Sequence, residues 1–217
     1  MSTEFTECPN CNTKLKGGLF TSVQILSDNK TKIINEYSEK KSTAYCSKCG
    51  NESYLQNRTK VDAERMELNN TIQRLLTQIP VISMQSPSNW EYEVLSMVTG
   101  QSTTGTGVIS EFTSSITDVF GAQSGRYNKK LKAGEEVCFA QLRKQALDLG
   151  GNAVVATDID YSEVGGEKGM LMVCMAGTAV NLLNTVVLGE KRASRIDELI
   201  KLNERIKYLY SFNTTEL

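Results

Sequence analysis

Histidine is absent from all 217 residues, which removes the commonest metal ligand and the commonest general base in one stroke. Long apolar runs are absent too. Even Met170 to Val180 stops well short of the ~20 residues a membrane span requires, and the start, Met1 to Glu7, is polar and acidic rather than signal-like. A soluble, cytoplasmic protein without membrane attachment is expected. No internal repeat or low-complexity tract is present, and 40% apolar with 23% charged residues is ordinary globular usage, which excludes wholesale disorder and fibrous architecture. There is also little net charge, −1 over the chain. Residues 1–60 carry +3, but four thiolates around a zinc dication would leave that segment at about +1, too little for DNA-sized attraction, so nucleic acid is not an expected partner.

What the chain does have is cysteine in a pattern. Cys8-Pro9-Asn10-Cys11 and Cys46-Ser47-Lys48-Cys49-Gly50 are paired C-x-x-C units, the spacing of zinc knuckles, and without a secretory signal they read as metal ligands rather than disulfides. Zinc favours a closed tetrahedron of thiolates when its role is structural, and such a site leaves no coordination position for catalysis. Cys8, Cys11, Cys46 and Cys49 are therefore the expected ligands of a structural Zn2+.

Between the pairs, Leu19 to Leu26 and Lys32 to Tyr37 carry alternating or β-branched apolar residues around the turn-like Ser27-Asp28-Asn29-Lys30. This predicts a β-hairpin and a small, β-rich zinc ribbon. Segments around Tyr45 and Tyr54 are expected to add a short strand. From Lys60 to Ile79 the spacing turns helical, with Val61, Leu68, Ile72, Leu75 and Ile79 on one stripe and Arg65 at the missing position. Pro80 ends it, and 85–89 is a loop. The main domain then predicts a strand over 91–98, a helix over 108–120, and a second helix from about 129 to 149, stopped by Gly150-Gly151. Strands over 152–161 and 170–180 follow as an antiparallel pair joined by 165–169. The second is apolar on both faces, as a central or interface strand is. A last amphipathic helix spans 191–210, with Ile196, Leu199, Ile206 and Leu209 inward.

Ordered matches run along residues 92–182: Val98-Thr99-Gly100; Gly121, Ser124-Gly125 and Tyr127; Leu149 to Val155; Asp158-Ile159-Asp160-Tyr161; Val164-Gly165; Met170 to Val173; and Gly177 to Val180. On these the segment resembles the YbjQ family, also labelled heavy-metal-binding. The resemblance implies a small α+β domain that assembles into pentameric rings. Two departures stand out. Gly121-Ala122-Gln123-Ser124 replaces the family's Gly-Gly-Arg-Ser, and Asn128 replaces the acidic residue after the tyrosine; Arg126 is the candidate to supply the missing guanidinium.

The expected organisation is α+β: a zinc ribbon at 1–55, an amphipathic linker helix at 56–80, a YbjQ-like domain with an antiparallel sheet at 90–188, and a C-terminal amphipathic helix at 189–217. The expected function is a non-enzymatic homo-oligomeric module that binds a protein partner or ligand. The alternative is a small-molecule or metal-ion site at subunit interfaces, built from Ser124, Arg126, Tyr127, Asp158 and Asp160. Asp158 and Asp160, two apart on a strand, are expected on the face that also carries Val154 and Ala156. The soft donors Cys138, Cys174, Met170, Met172 and Met175 are assigned to packing. Thr103-Thr104-Gly105-Thr106-Gly107 lacks the lysine of a P-loop, so nucleotide hydrolysis is not implied.

Overall fold

The computed structural model describes residues 5–15, 23–104, 122–164 and 170–216. Its contacts divide the chain into two compact units, one of Met1–Thr71 with Glu204–Leu217, the other of Ile72–Asn203. The expected α+β class holds. Among the described residues no helix is long and apolar enough to cross a membrane.

In the first unit the predicted hairpin is corrected. Helix α1, Asp28–Glu36, occupies the place of its turn and second strand. Ser27 is the reason: in extended conformation, its hydroxyl accepts from the Lys30 amide at 3.2 Å, an N-cap that serves a helix as well as the same residues would serve a turn. Asp28 adds a favourable charge in the first turn. Ile33 and Ile34 are buried, and the Asn57 amide caps the end of α1 by donating to the Ile34 carbonyl at 3.1 Å. Helix α2 runs Ser47–Leu75, so it starts within the second cysteine pair and takes in Tyr54, where a short strand was expected. The described part of this unit is thus helical rather than β-rich, its β-structure being the isolated bridges Glu7↔Lys14 and Ile25↔Cys46.

Arg65, the polar break in the stripe of α2, has a structural task. Its guanidinium donates to the Leu209 and Phe212 carbonyls, each at 2.7 Å, and to the Thr214 hydroxyl at 3.0 Å. These carbonyls close the C-terminal end of helix α4, Glu190–Tyr210, where such groups have no partner within the helix.

The second unit is a three-stranded antiparallel sheet with one long helix. Strands β1 (Tyr92–Thr104), β2 (Ala153–Val164) and β3 (Met170–Leu182) lie in the order β1-β3-β2, with β3 central. Helix α3, Ala122–Asp148, covers one face; Cys138, Leu142 and Ala146 pack against Val98, Val154, Val173, Met175 and Ala179. The approach is close enough to need glycine: a Cβ on Gly134 would stand 2.8 Å from Val173 Cγ2, and one on Gly100 2.8 Å from the Cys138 carbonyl. The predicted glycine stop is present. Gly150 adopts φ +86°, its amide bonds to the Leu147 carbonyl, and the Gly151 amide bonds to that of Ala146, the paired pattern of a Schellman motif.

Among the described residues the other face is covered at one end only. There Ala153, Val155, Val180 and Leu182 meet Ile82, Trp90, Tyr92 and Leu188. Segment 80–84 runs parallel along the outer edge of β2, bonded from Pro80 to Met84 against Val154–Thr157. The predicted helix over 108–120, the 103–107 turn beyond Thr104 and the 165–169 loop lie outside the described residues.

Candidate metal centre

The two cysteine pairs are placed by different devices. Around the first, the chain doubles back: the Cys8 amide bonds to the Thr13 carbonyl and the Asn12 amide to that of Cys8, both at 2.8 Å, and the Leu15 amide reaches Thr6 at 3.0 Å. Asn12 sits at φ +58°, a left-handed turn residue that asparagine tolerates. The second pair straddles the start of α2. A short antiparallel contact, Leu26 amide to Tyr45 carbonyl and Ser47 amide to Gln24 carbonyl, delivers Cys46 to the helix N-terminus, whose partial positive charge favours thiolates there. Gly50 is required by space, since a Cβ would lie 2.6 Å from Leu26 Cδ1 and 2.8 Å from Tyr45 Cβ.

Together these place the four sulfur atoms within 4.8 Å of one another. Sγ separations are 3.7 Å for Cys8–Cys49, 3.6 Å for Cys11–Cys46 and 3.7 Å for Cys46–Cys49. A tetrahedron with Zn–S bonds of about 2.3 Å has edges of about 3.8 Å, so the cluster already has the size of a four-thiolate site. Cys8 and Cys46 are buried, Cys49 is half-buried and Cys11 is exposed. Two neighbours tune the sulfurs: the Asn10 amide donates to Cys49 at 3.5 Å, and the Thr13 hydroxyl lies 3.1 Å from Cys11. The Thr13 contacts bring the Cys11 thiol down to about 6, whereas burial pushes Cys49 up to about 12. A bound dication overrides that difference by holding every ligand as thiolate. Asn10 and Thr13 are functional neighbours that the cysteine spacing could not reveal; they become visible only once the knuckle is folded. Among the described residues no other group of cysteines and carboxylates converges in this way.

The remaining candidates are dispersed. Ser124, Arg126 and Tyr127 fall in the first turns of α3, not in a loop before it, and their side chains lie outside the described residues. Asp158 and Asp160 are exposed, and their predicted face is corrected. A bulge between Val155 and Asp158, with Ala156 at φ +53°, puts an extra residue into β2. Beyond it every side chain changes sides. Val154 pairs with Ala179 on the α3 face, while Asp158 and Asp160 pair with Ala176 and Cys174 on the opposite one. A cleft of about 530 Å³ lined by Leu75, Gln78, Leu188, Arg192 and Arg195 contains none of these residues.

Comparison with known proteins agrees with the second unit's place in the chain. Residues 80–183 match the model of the YbjQ_1 family, described as "Putative heavy-metal-binding". Similar among solved structures is the crystal structure of a protein of unknown function of the DUF74 family from Pediococcus pentosaceus. It is 15% identical, with alignment over 48% of this chain and 97% of that one, at a TM-score of 0.33.

Proposed function

We infer that this chain, which carries a YbjQ-like domain at residues 80–183 and a four-cysteine metal cluster, is a zinc-stapled, homo-oligomeric binding module with no catalytic role. Zinc is the reading for the metal because four thiolates form a closed site of the right size and leave no position for water or substrate. Reduced zinc thiolates suit a cytoplasmic setting. Occupancy of about one zinc per chain is expected on metal analysis of freshly purified, reduced protein.

The observation that carries the oligomer is a sheet face that is half-covered among the described residues. On that face of β1, Val94 and Met97 are 67% and 72% exposed, opposite Val180 and the half-buried Thr178 of the central strand. Apolar surface of this kind on a sheet face favours association. A second copy is the proposed occupant, and a ring of five is what the family resemblance implies. Identical subunits would then turn weak contacts with a protein partner or ligand into avid ones. Static light scattering of the full chain should give a multiple of 24.0 kDa, and Met97→Asp should lower it. A monodisperse monomer would sink the reading.

A second reading is favoured by Asp158 and Asp160 lying on that same face: a small-molecule or metal-ion site enclosed between subunits. Native mass spectrometry of the purified oligomer separates the two, because only the second predicts a retained ligand beyond zinc.

A further inference from the structure

The cleft of about 530 Å³ belongs wholly to the second unit, between Leu75 and Gln78 on one side and Leu188 with the first turns of α4 on the other. A volume of that order suits a small molecule. Every residue lining it lies outside the stretch 80–183 that matches the YbjQ_1 model, so the cleft is independent of the domain that gives the family its description.

Its lining is cationic. Lys191, Arg192 and Arg195 stand there against a single carboxylate, that of the exposed Glu190. Arg192 is half-buried, and its Nε donates to the Gln78 carbonyl at 2.7 Å. On the very next carbonyl, that of Ile79, the Nε of half-buried Arg143 is held at 3.0 Å. These carbonyls close the end of α2 and of the 3-10 turn Leu76–Gln78 that follows it, where backbone acceptors lack partners, and that accounts for one N–H of each guanidinium. It does not account for the charge. Among the described residues neither Arg143 nor Arg192 has a carboxylate partner, whereas Arg65, Arg195 and Arg205 each have one. Burial, and then the neighbouring charge of Arg192, hold Arg143 below the ordinary guanidinium range, as expected of like charges brought together without a counter-ion.

The start of α4 adds its partial positive charge, but the two unneutralised guanidinium groups are what call for an anion. Arg192, anchored through Nε, keeps its terminal nitrogens for another acceptor, and a guanidinium fork matches the oxygens of a phosphoryl group in pairs. Buried Leu75 and half-buried Leu188 supply an apolar wall beside it.

We propose that this cleft binds a small phosphate ester, with its phosphoryl group on Arg192 and Arg195, Arg143 adding charge next to Arg192, and its apolar body against Leu75 and Leu188. Binding is ion pairing, and no covalent bond is made or broken. Arg195 joins by giving up Glu198, an exposed partner at 3.2 Å whose loss costs little. The seat goes beyond the oligomer reading and shares no residue with the sheet face that carries it.

The test is a titration of the full, reduced chain with phenyl phosphate at neutral pH, in a buffer free of phosphate and sulfate, followed through the arginine Nε–Hε resonances. Saturable shifts are expected at Arg143, Arg192 and Arg195, while Arg65 and Arg205, which are held in the first unit, stay in place. Arg192→Gln should weaken binding roughly tenfold or more, the loss of a charge-assisted contact. Glu190→Gln removes the opposing carboxylate and should tighten it. Inorganic phosphate should bind more weakly than phenyl phosphate, having no apolar body. Absent shifts, shifts spread evenly over all arginines, unchanged affinity in either folded variant, or inorganic phosphate bound as tightly would overturn the seat. Should Arg192→Gln fold poorly, the wild-type titration and the exposed Glu190→Gln decide. Light scattering on the same samples keeps the two readings apart: a monomer that binds phenyl phosphate refutes the oligomer and retains the seat, and an oligomer without shifts does the reverse.

Discussion

At the scale of single residues, the first unit is organised around Arg205. Its guanidinium grips Glu64 through two hydrogen bonds of 2.7 and 3.0 Å and also holds Glu36, while Tyr37 donates to Glu64 at 2.6 Å and Tyr208 to Glu36 at 2.8 Å. Paired geometry of this kind outweighs a surface ion pair because both carboxylate oxygens are satisfied at once. The Arg205 bonds hold the Glu64 carboxyl below its ordinary range against the opposing push of partial burial, with Tyr37 helping. A carboxyl depressed in the folded state binds fewer protons there than when unfolded. Its stabilisation is therefore complete above the ordinary glutamate range and is lost as pH falls through that range toward the lowered value. Glu64→Gln should cost roughly 1–2 kcal/mol at neutral pH, and the gap from wild type should close on acidification. Urea unfolding at several pH values measures it; a gap constant down to strongly acid pH would contradict this assignment.

At the scale of elements, the edges of the sheet are treated unequally. Segment 80–84 covers β2 as far as Thr157, but no strand lines the outer edge of β1 among the described residues. Two glutamines one turn apart on α3 stand in for one. Gln145 accepts from the Thr99 amide at 3.3 Å and donates to its carbonyl at 2.6 Å; Gln141 does the same for Gln101, at 2.8 and 3.2 Å. Each side-chain amide mimics a peptide group, blunting an edge that would otherwise template pairing with another chain. Replacing both by alanine should leave four backbone groups free and produce concentration-dependent association with added β signal in circular dichroism. Unaltered solution behaviour of the double variant would show that the pair has no protective role.

At the scale of the whole molecule, the two units draw stability from different sources. The second has its own sheet, helix and apolar clusters, whereas the first must order the cysteine-bearing segment around a metal, and small units of that kind depend on it. Stripping the cysteine-bound metal with a strong chelator, or combining Cys8→Ser with Cys46→Ser, should raise amide exchange through residues 5–15 and 23–71. Exchange should rise at 204–216 as well, since Arg205 and the chain end capped by Arg65 belong to that unit. Residues 72–203 should keep their protection and most of their melting temperature. Loss of protection across both units together would show a single cooperative structure.

Much of this was legible in one dimension. Cysteine spacing alone named the cluster, because C-x-x-C is a local device whose geometry hardly depends on the rest of the chain. The stripes of α2, α3 and α4, the Gly150-Gly151 stop and the pairing of β2 with β3 were readable because each repeats a period long enough to exceed chance. Three features needed the folded chain. Helix α1 is nine residues long, too short for its period to outweigh two β-branched isoleucines, and it took burial of Ile33 and Ile34 with a capping serine to decide for helix. The faces of Asp158 and Asp160 depended on a bulge at Ala156, a non-glycine residue at positive φ that no local motif announces. The separation of Met170, Met172 and Cys174 from Cys138 and Met175 depended on which side of the sheet α3 covers, and that is a property of packing between distant segments rather than of any one of them.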